Sequence, residues 1–202
     1  MNTRLFHESP GLVVAILIPF VFVPTKQYLL VFLTCISFLA YFYRHPVRVN
    51  NTSDDTIVSP CDGTVLEVLK ERDTYRIVVF LSIWNVHIQW YPIDGKIIDV
   101  KHKPGEFNLA YLLEKSDYNE QCVTTIQHNE GFVVKVCQIA GQVARRIVNR
   151  SRVGSTVCKG EHMGMIKLSS RVDIIVPSTV NLLVKRNDKV YGNQTMLAKL
   201  ST

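Results

Sequence analysis

The sequence lacks the paired cysteines on which disulfide frameworks and zinc sites depend. Its five cysteines form no CxxC pair, and its six histidines are scattered along the chain. Secreted disulfide scaffolds and structural zinc sites carry these residues at short, recurring spacings, so isolated thiols are typical of a reducing compartment. We therefore expect neither a disulfide scaffold nor a metal site.

Charge is nearly absent from the N-terminal part of the chain. Residues 11–43 contain one charged side chain, Lys26. They include two apolar runs, Gly11–Val23 and Tyr28–Tyr43, and each is shorter than the about 20 residues that a perpendicular transmembrane helix needs. The intervening PTKQ offers a turn. This pattern predicts a hydrophobic helical hairpin, either as two short spans or as a re-entrant wedge.

A small-x-small cleavage site is also missing from the first run. Because a second apolar run follows at once, a hairpin is favoured over a cleaved signal peptide. Arg4 precedes the hairpin, whereas Arg44, His45 and Arg48 follow it. The positive-inside rule then places both ends in the cytoplasm. We expect a membrane-associated protein whose remaining chain lies on the cytoplasmic face of the cell membrane.

No aromatic and basic stripe stands apart from the rest of the pattern. The 23 Lys and Arg residues outnumber the 17 Asp and Glu residues, which gives a formal net charge of +6. Such an excess favours an anionic partner, either nucleic acid or a membrane surface. Nucleic-acid modules usually carry a basic and aromatic stripe, so the balance favours an anionic membrane.

Three regions follow from composition. Residues 1–48 hold the predicted hairpin and its flanks, and residues 49–55 form a polar linker. Beyond the linker, short apolar runs alternate with turn residues to the end of the chain, which is typical of successive β-strands. We therefore predict a mainly β fold, with one β-rich domain over residues 56–202.

Two segments within that domain share a rhythm of turn, strand, glycine turn and strand. They are residues 153–166 and 186–200. The rhythm resembles the hammerhead turns of lipoyl- and biotinyl-type barrels, although no carrier-lysine motif accompanies it. We expect barrel-sandwich elements on this basis. Residues 106–116 break the β pattern and predict one short helix or loop.

Two adjacent serines, Ser169 and Ser170, separate the strand-like runs MIKL and VDIIV. Taken by itself, a pair of hydroxyl residues at such a junction is most simply a polar turn. The alternative is that one serine attacks its own backbone. The spacing alone favours the turn, so a decision between them depends on the surrounding motifs.

Five motifs in order resemble those of phosphatidylserine decarboxylases. They are SPCDGTV at 59–65, FLSIWNVHIQWYPIDG at 80–95, NEQC at 119–122, GQVARRIV at 141–148 and KGEHMGMIKLSSRVDIIVP at 159–177. The resemblance covers nearly the whole chain. It is nearest to the short form of the family, in which a membrane hairpin and an FYRHP-like segment precede the catalytic domain.

The resemblance implies a pyruvoyl enzyme that makes its prosthetic group from its own Ser170. The chain would cut itself between Ser169 and Ser170, which leaves a large chain and a small chain of residues 170–202. The pyruvoyl ketone would form a Schiff base with the serine amine of a membrane phospholipid. Loss of CO₂ would convert phosphatidylserine to phosphatidylethanolamine without a metal.

The resemblance also assigns the partners of Ser170. A serine hydroxyl is a weak nucleophile and needs a base, and His87 matches the family's histidine. Asp62 matches the aspartate that orients this histidine. Without the resemblance, His87 would be interpreted as a hydrogen-bonded strand histidine and Asp62 as part of a turn. Arg145 and Arg146 are candidate phosphate contacts, or else a solvated strand edge.

The chain departs from the family at Ser169, where glycine is usual. A side chain restricts backbone angles that glycine reaches freely, at a cost on the order of 1–3 kcal/mol, and this could slow maturation. Other pyruvoyl decarboxylases are cut between two serines, so cleavage is still expected. An uncleaved, membrane-anchored lipid-binding pseudoenzyme is the alternative function. Ser155 lies in VGST, which resembles the cleavage motif of longer family members, but only Ser170 precedes Arg-Val-Asp.

Two properties are left open by the sequence. Serine lipids with ester-linked and ether-linked chains share the headgroup at which decarboxylation occurs, so either class could be the substrate. Sheet edges and the hairpin make a homodimer reasonable.

Overall fold

The computed structural model of the chain describes residues 25–142, 146–167 and 170–200. The chain divides into two compact units, between Arg44 and His45. The described part of the first unit contains helix α1 (Thr25–Phe42). This helix has no proline or glycine, the two residues that most disfavour helix interiors.

Helix α1 contains most of the second predicted apolar run. Because it begins at Thr25, it also includes three of the four residues of the predicted PTKQ turn. The first run, Gly11–Val23, lies outside the described residues. Among the helices of the described ranges, none has the length and apolar character needed to cross a membrane.

The described residues of the second unit form fourteen strands and one short helix, which confirms the prediction of a mainly β fold. The helix, α2 (Leu113–Ser116), lies within the segment predicted to be a short helix or loop. The strands are β1 (Thr56–Val58), β2 (Gly63–Glu71), β3 (Thr74–Leu81), β4 (Ile88–Trp90), β5 (Gly95–Lys103), β6 (Gln121–Gln127), β7 (Val133–Ala140), β8 (Ile147–Asn149), β9 (Thr156–Val157), β10 (His162–Ile166), β11 (Ser170–Pro177), β12 (Val180–Leu182), β13 (Lys189–Val190) and β14 (Met196–Leu200).

The largest sheet is a curled half-barrel of eight antiparallel strands. Its order is β13-β2-β3-β11-β7-β6-β5-β9, and two three-stranded sheets have the orders β1-β14-β12 and β4-β10-β8. Strand β11 lies inside the large sheet, with β3 on one side and β7 on the other. Val172, Ile174 and Val176 alternate along β11 and are fully buried in the core, as expected for one face of a strand.

The two segments with a shared rhythm each contribute one strand to the large sheet and one to a small sheet. The first supplies β9 and β10, and the second supplies β13 and β14. Their turns also meet. Gly160 has φ of +85°, and a Cβ there would lie 2.6 Å from the side-chain oxygen of Asn193, which itself has φ of 59°. Glycine is therefore required at 160 by both conformation and space.

The predicted polar linker is attached to the second unit. Asn50 Nδ2 donates to Asn193 Oδ1 at 2.9 Å, and Asn193 Nδ2 donates to the backbone oxygen of Arg48 at 3.1 Å. The boundary between the two units falls before His45. Residues 45–55 consequently belong to the β-rich unit and reach the site described next.

Candidate active site

Ser170 is the first residue of β11 and is fully buried. It pairs with Leu81 of β3 on one side and Ala140 of β7 on the other, so its strand neighbours are apolar. Its Oγ is buried and has no hydrogen-bond partner among the described residues. Leaving a buried hydroxyl unsatisfied costs about 1–3 kcal/mol, so such a group calls for a functional explanation.

A tight turn carries the chain from β3 toward His87. The backbone nitrogen and hydroxyl of Ser82 donate to Asn85 Oδ1 at 2.9 and 2.8 Å, and Asn85 N donates back to Ser82 O at 3.0 Å. His87 is fully buried, and its Nδ1 lies 3.0 Å from the carbonyl oxygen of Asn85. A carbonyl only accepts, so this contact selects the tautomer with hydrogen on Nδ1. Nε2 then carries the lone pair that can take a proton.

His87 and Ser170 lie at the same end of β11. Ser170 pairs with Leu81, and the turn that follows Leu81 leads to His87. From the other direction, Ile88 pairs with Met165, so His87 lies beside the end of β10. Strand β10 ends four residues before Ser170, a length of chain that spans at most about 14 Å. Two independent connections therefore bring His87 and Ser170 to one region.

Asp62 lies directly before β2 and is buried. Its two oxygens bind the guanidinium of Arg48, with Nη2 at 2.9 Å from Oδ2. The backbone nitrogen of Gly192 donates to Oδ1 at 2.8 Å, and that of Val86 donates to Oδ2 at 3.4 Å. Asp62 thus binds the backbone next to His87, and its charge is balanced by Arg48. The orienting role of Asp62 stays a prediction, with Val86 as a path to the imidazole.

A series of buried side-chain amides binds the backbone carbonyl of His87. Gln89 Nε2 donates to the carbonyl oxygen of His87 at 2.8 Å, and Gln138 Nε2 donates to Gln89 Oε1 at 2.8 Å. Asn149 Nδ2 completes the series at 2.8 Å from Gln138 Oε1. Both glutamines are fully buried. Neither glutamine was predicted from the sequence, although a glutamine within an apolar strand such as VHIQW is a signal for a buried polar contact.

The residue after Ser170 anchors a second buried network. Arg171 is 1% exposed and donates through Nε and Nη2 to the two oxygens of Asp173, each at 2.7 Å. It also donates to Ser116 Oγ at 2.6 Å and to Asp117 Oδ1 at 2.8 Å. Arg76 binds the same two carboxylates, each at 2.7 Å. The network connects the start of β11 to α2, and a pair of charges inside an apolar strand was its only signal in the sequence.

Asp117 is the exposed end of this network. Partial burial raises its pKa, but the hydrogen bond from Arg76 and the positive charge of Arg171 outweigh that effect and lower the pKa below its ordinary value. The carboxylate is consequently ionised at neutral pH and pairs with both guanidinium groups.

Two other nucleophilic side chains of the described residues take no part in the proposed chemistry. Cys137 lies opposite Asp173 in the sheet, and burial raises its pKa to about 12, so the thiol remains protonated at neutral pH. Ser155 is exposed, and its hydroxyl donates to the carbonyl oxygen of Arg152 at 2.7 Å. Within the ranges that the structure describes, no three His, Cys, Asp or Glu side chains are placed to bind a metal ion.

Of the remaining predicted residues, Arg146 lies within the described ranges. Ser169 and Arg145 lie outside the described residues. Arg146 is exposed just before β8, and its carbonyl oxygen accepts a hydrogen bond from Lys167 N at 3.4 Å. Its role as a phosphate contact stays a prediction.

The chain is similar to known proteins over most of its length. The sequence profile of the family described as phosphatidylserine decarboxylase matches residues 36–198. A phosphatidylserine decarboxylase proenzyme of Phocaeicola vulgatus is 40% identical over 167 residues, which cover 79% of this chain and 73% of that protein. Proteins of the same name from Parabacteroides distasonis and Rickettsia felis are each 36% identical, and the matches cover 86% and 82% of this chain and 84% and 78% of theirs. The chain belongs to the phosphatidylserine decarboxylase family of enzymes.

Proposed function

We propose that this protein decarboxylates phosphatidylserine to phosphatidylethanolamine after converting its own Ser170 into a pyruvoyl group. The observation that carries the proposal is the buried Ser170 hydroxyl, which no described residue hydrogen-bonds. A residue that must attack its own backbone, and later become a ketone, is served by a hydroxyl that no described residue holds through a hydrogen bond. The position therefore fits the group that the family implies.

In the proposed maturation, Ser170 Oγ attacks the carbonyl carbon of residue 169. An ester forms, the peptide bond breaks, and the former amide nitrogen becomes the amine of residue 170. Elimination then breaks the Cβ–Oγ bond, which leaves a carboxylate on Ser169 and a dehydroalanine at 170. Water replaces the amine nitrogen, with release of ammonia, and the pyruvoyl ketone remains. His87 Nε2 is the base proposed to take the hydroxyl proton.

In the mature enzyme, the pyruvoyl group supplies an electron sink for the electrons left by departing CO₂. Residues of the chain itself would exclude water and transfer the proton. Leu81 and Ala140 flank position 170, and all three residues are fully buried, which shields the position from water. We propose that His87 Nε2 returns a proton to the substrate, because His87 lies near the same strand end. No metal is needed in this scheme.

The two chains produced by cleavage would remain together. Strand β11 would begin the small chain, and it pairs with β3 of the large chain over residues 170–177 and with β7 over residues 170–175. The small chain would also contribute β14, which pairs with β1. The contact between the turns at Gly160 and Asn193 supports the proposal that the domain contains barrel-sandwich elements.

We further propose that the N-terminal hairpin keeps the enzyme on the cytoplasmic face of the membrane. A homodimer stays a prediction.

The test is Ser170→Ala, because alanine has no hydroxyl to attack the carbonyl or to become a ketone. We expect one full-length band on a denaturing gel, an intact mass of the whole chain and no CO₂ release from phosphatidylserine. Ser155→Ala is the matched control and should mature like the native chain. A cleaved and active Ser170→Ala protein would end the pyruvoyl proposal. A native chain that never cleaves would favour the lipid-binding pseudoenzyme.

A further inference from the structure

Apolar side chains are exposed at the turn that leads to His87. Ile83 and Trp84 form its tip, and they are 37% and 61% exposed. The flanking residues Ser82 and Asn85 hold the turn through the hydrogen bonds described above. The turn is therefore well defined, and its two apolar side chains project beside the candidate active site.

A polar cleft of about 230 Å³ lies between this turn and β13. Ser82, Asn85, Thr64, Lys189 and Tyr191 contribute its polar side chains. Asn85 lines the cleft, and its carbonyl oxygen is 3.0 Å from His87 Nδ1. A single residue therefore connects the cleft to the proposed base.

More apolar side chains are exposed on the elements next to Tyr191, which lines the cleft and is 51% exposed. Its neighbour Gly192 accepts a hydrogen bond from Arg48 Nη1 at 2.7 Å. This bond anchors the segment that contains Val47 and Val49, which are 96% and 72% exposed. We call Val47, Val49, Ile83, Trp84 and Tyr191 the apolar rim. Scattered single exposed apolar residues are ordinary, but five on segments that hydrogen bonds hold to one end of the sheet indicate an interaction surface.

Basic side chains accompany the rim. Lys189 lines the cleft, and Lys185 and Arg186 are exposed in the loop before β13. This loop is held at the same end of the sheet, because Asn187 N donates to the carbonyl oxygen of Val65 at 2.8 Å. Asp188 is the acidic residue in the loop, and one of its oxygens accepts from the backbone of Lys185. Positive charge thus exceeds negative charge here.

We propose that the apolar rim docks on an anionic lipid bilayer and presents the cleft to the lipid headgroups. The combination of aliphatic side chains, an exposed tryptophan and a tyrosine with surrounding lysine and arginine matches the interface of such a membrane. A polar cleft next to exposed apolar side chains also suits a headgroup layer that lies next to acyl chains. The inference rests on the proposed function, since it assigns the face through which a lipid would reach His87.

Intrinsic fluorescence can test this contact in the full-length chain, because it has two tryptophans. Trp84 is exposed, whereas Trp90 is 3% exposed and serves as an internal reference for folding. The chain would be reconstituted into vesicles of phosphatidylcholine and phosphatidylglycerol in equal parts, with or without brominated acyl chains. We expect brominated vesicles to quench Trp84, and vesicle binding to protect Trp84 from aqueous iodide.

The matched control moves the exposed tryptophan to the other end of β3. In Trp84→Phe/Arg72→Trp, the reporter lies in the exposed β2–β3 turn, about 23 Å along the strand from Leu81. The N-terminal region is unchanged, so both proteins have the same membrane attachment. The control should be quenched by iodide in vesicles and not by brominated lipid.

Equal quenching of both proteins by brominated lipid, or unprotected Trp84 in the native chain, would overturn the docking surface. Shielding of Trp84 that grows with protein concentration in lipid-free solution would assign the rim to a second copy, and would also overturn it. The vesicles contain no serine lipid and the signal needs no cleavage. An active enzyme with an unquenched Trp84 would therefore refute the docking surface alone, and a quenched Trp84 in an inactive protein would refute the proposed decarboxylation alone.

Discussion

At the scale of single residues, Asp62 and His87 are connected through the backbone of Val86. If they act as one unit in maturation, Asp62→Asn should slow cleavage, and His87→Ala should slow it at least as much. The double variant should be scarcely slower than His87→Ala, because coupled groups do not have additive effects. The fraction cleaved with time measures all three, and circular dichroism checks that each remains β-rich. If the double variant slowed cleavage by the product of the two single effects, Asp62 and His87 would act independently.

Position 169 offers a second test at this scale. Glycine reaches backbone angles that serine adopts only at a cost, and the proposed attack occurs at the carbonyl of residue 169. Ser169→Gly should therefore mature at least as fast as the native chain, as followed by the appearance of the small chain on a gel. Clearly slower maturation would mean that the Ser169 side chain assists cleavage.

At the scale of elements, the Arg171 network joins the start of β11 to α2. The lowered pKa of Asp117 means that its carboxylate stabilises the folded chain above its unfolded pKa near 3.9, and that this contribution is lost as the pH falls through the lower folded value. Asp117→Asn should consequently reduce the free energy of unfolding at pH 7. The difference from the native chain should shrink below about pH 4. Water screens a side chain that is 45% exposed, so we expect a loss of about 1 kcal/mol or less.

Denaturant unfolding across this pH range measures the effect. Glu71→Gln is a suitable control, because Glu71 is similarly exposed, at 48%, and its carboxylate lies 3.9 Å from Arg76. That variant should unfold nearly like the native chain. A pH-independent loss in Asp117→Asn would show that the side chain contributes through packing or hydrogen bonding and not through its charge.

At the scale of the whole molecule, the segment after the first unit supplies part of the candidate site. A chain that begins at His45 keeps Arg48, whereas one that begins at Asn50 leaves the buried Asp62 without its cationic partner. Removing one member of a buried ion pair costs about 3 kcal/mol or more. The His45 chain should therefore cleave itself, and the Asn50 chain should unfold at a lower temperature and mature more slowly. Thermal melts and cleavage time courses compare them, and equal behaviour would show that Arg48 is dispensable.

Properties that depend on local pattern or on motifs in order could be predicted from the sequence. Alternating apolar residues indicated the β class, and the motifs around Asp62, His87 and Ser170 indicated the family. The short segment that became α2 was visible as a break in the strand pattern. Each of these signals spans a few residues, so it can be detected without knowing which strands are neighbours.

Contacts between residues that are distant in sequence could not be predicted in this way and became apparent in the folded chain. Arg48 binds Asp62 and Gly192, and Arg171 reaches Ser116. Such contacts depend on the register and order of strands, and a shift of one residue would turn every side chain to the opposite face of the sheet. For the same reason, the residues of the apolar rim are separate in sequence, and only the folded chain brings their segments to one end of the sheet. Periodicity predicts which face of a strand is buried, but the pairing between strands determines which side chains that face brings together.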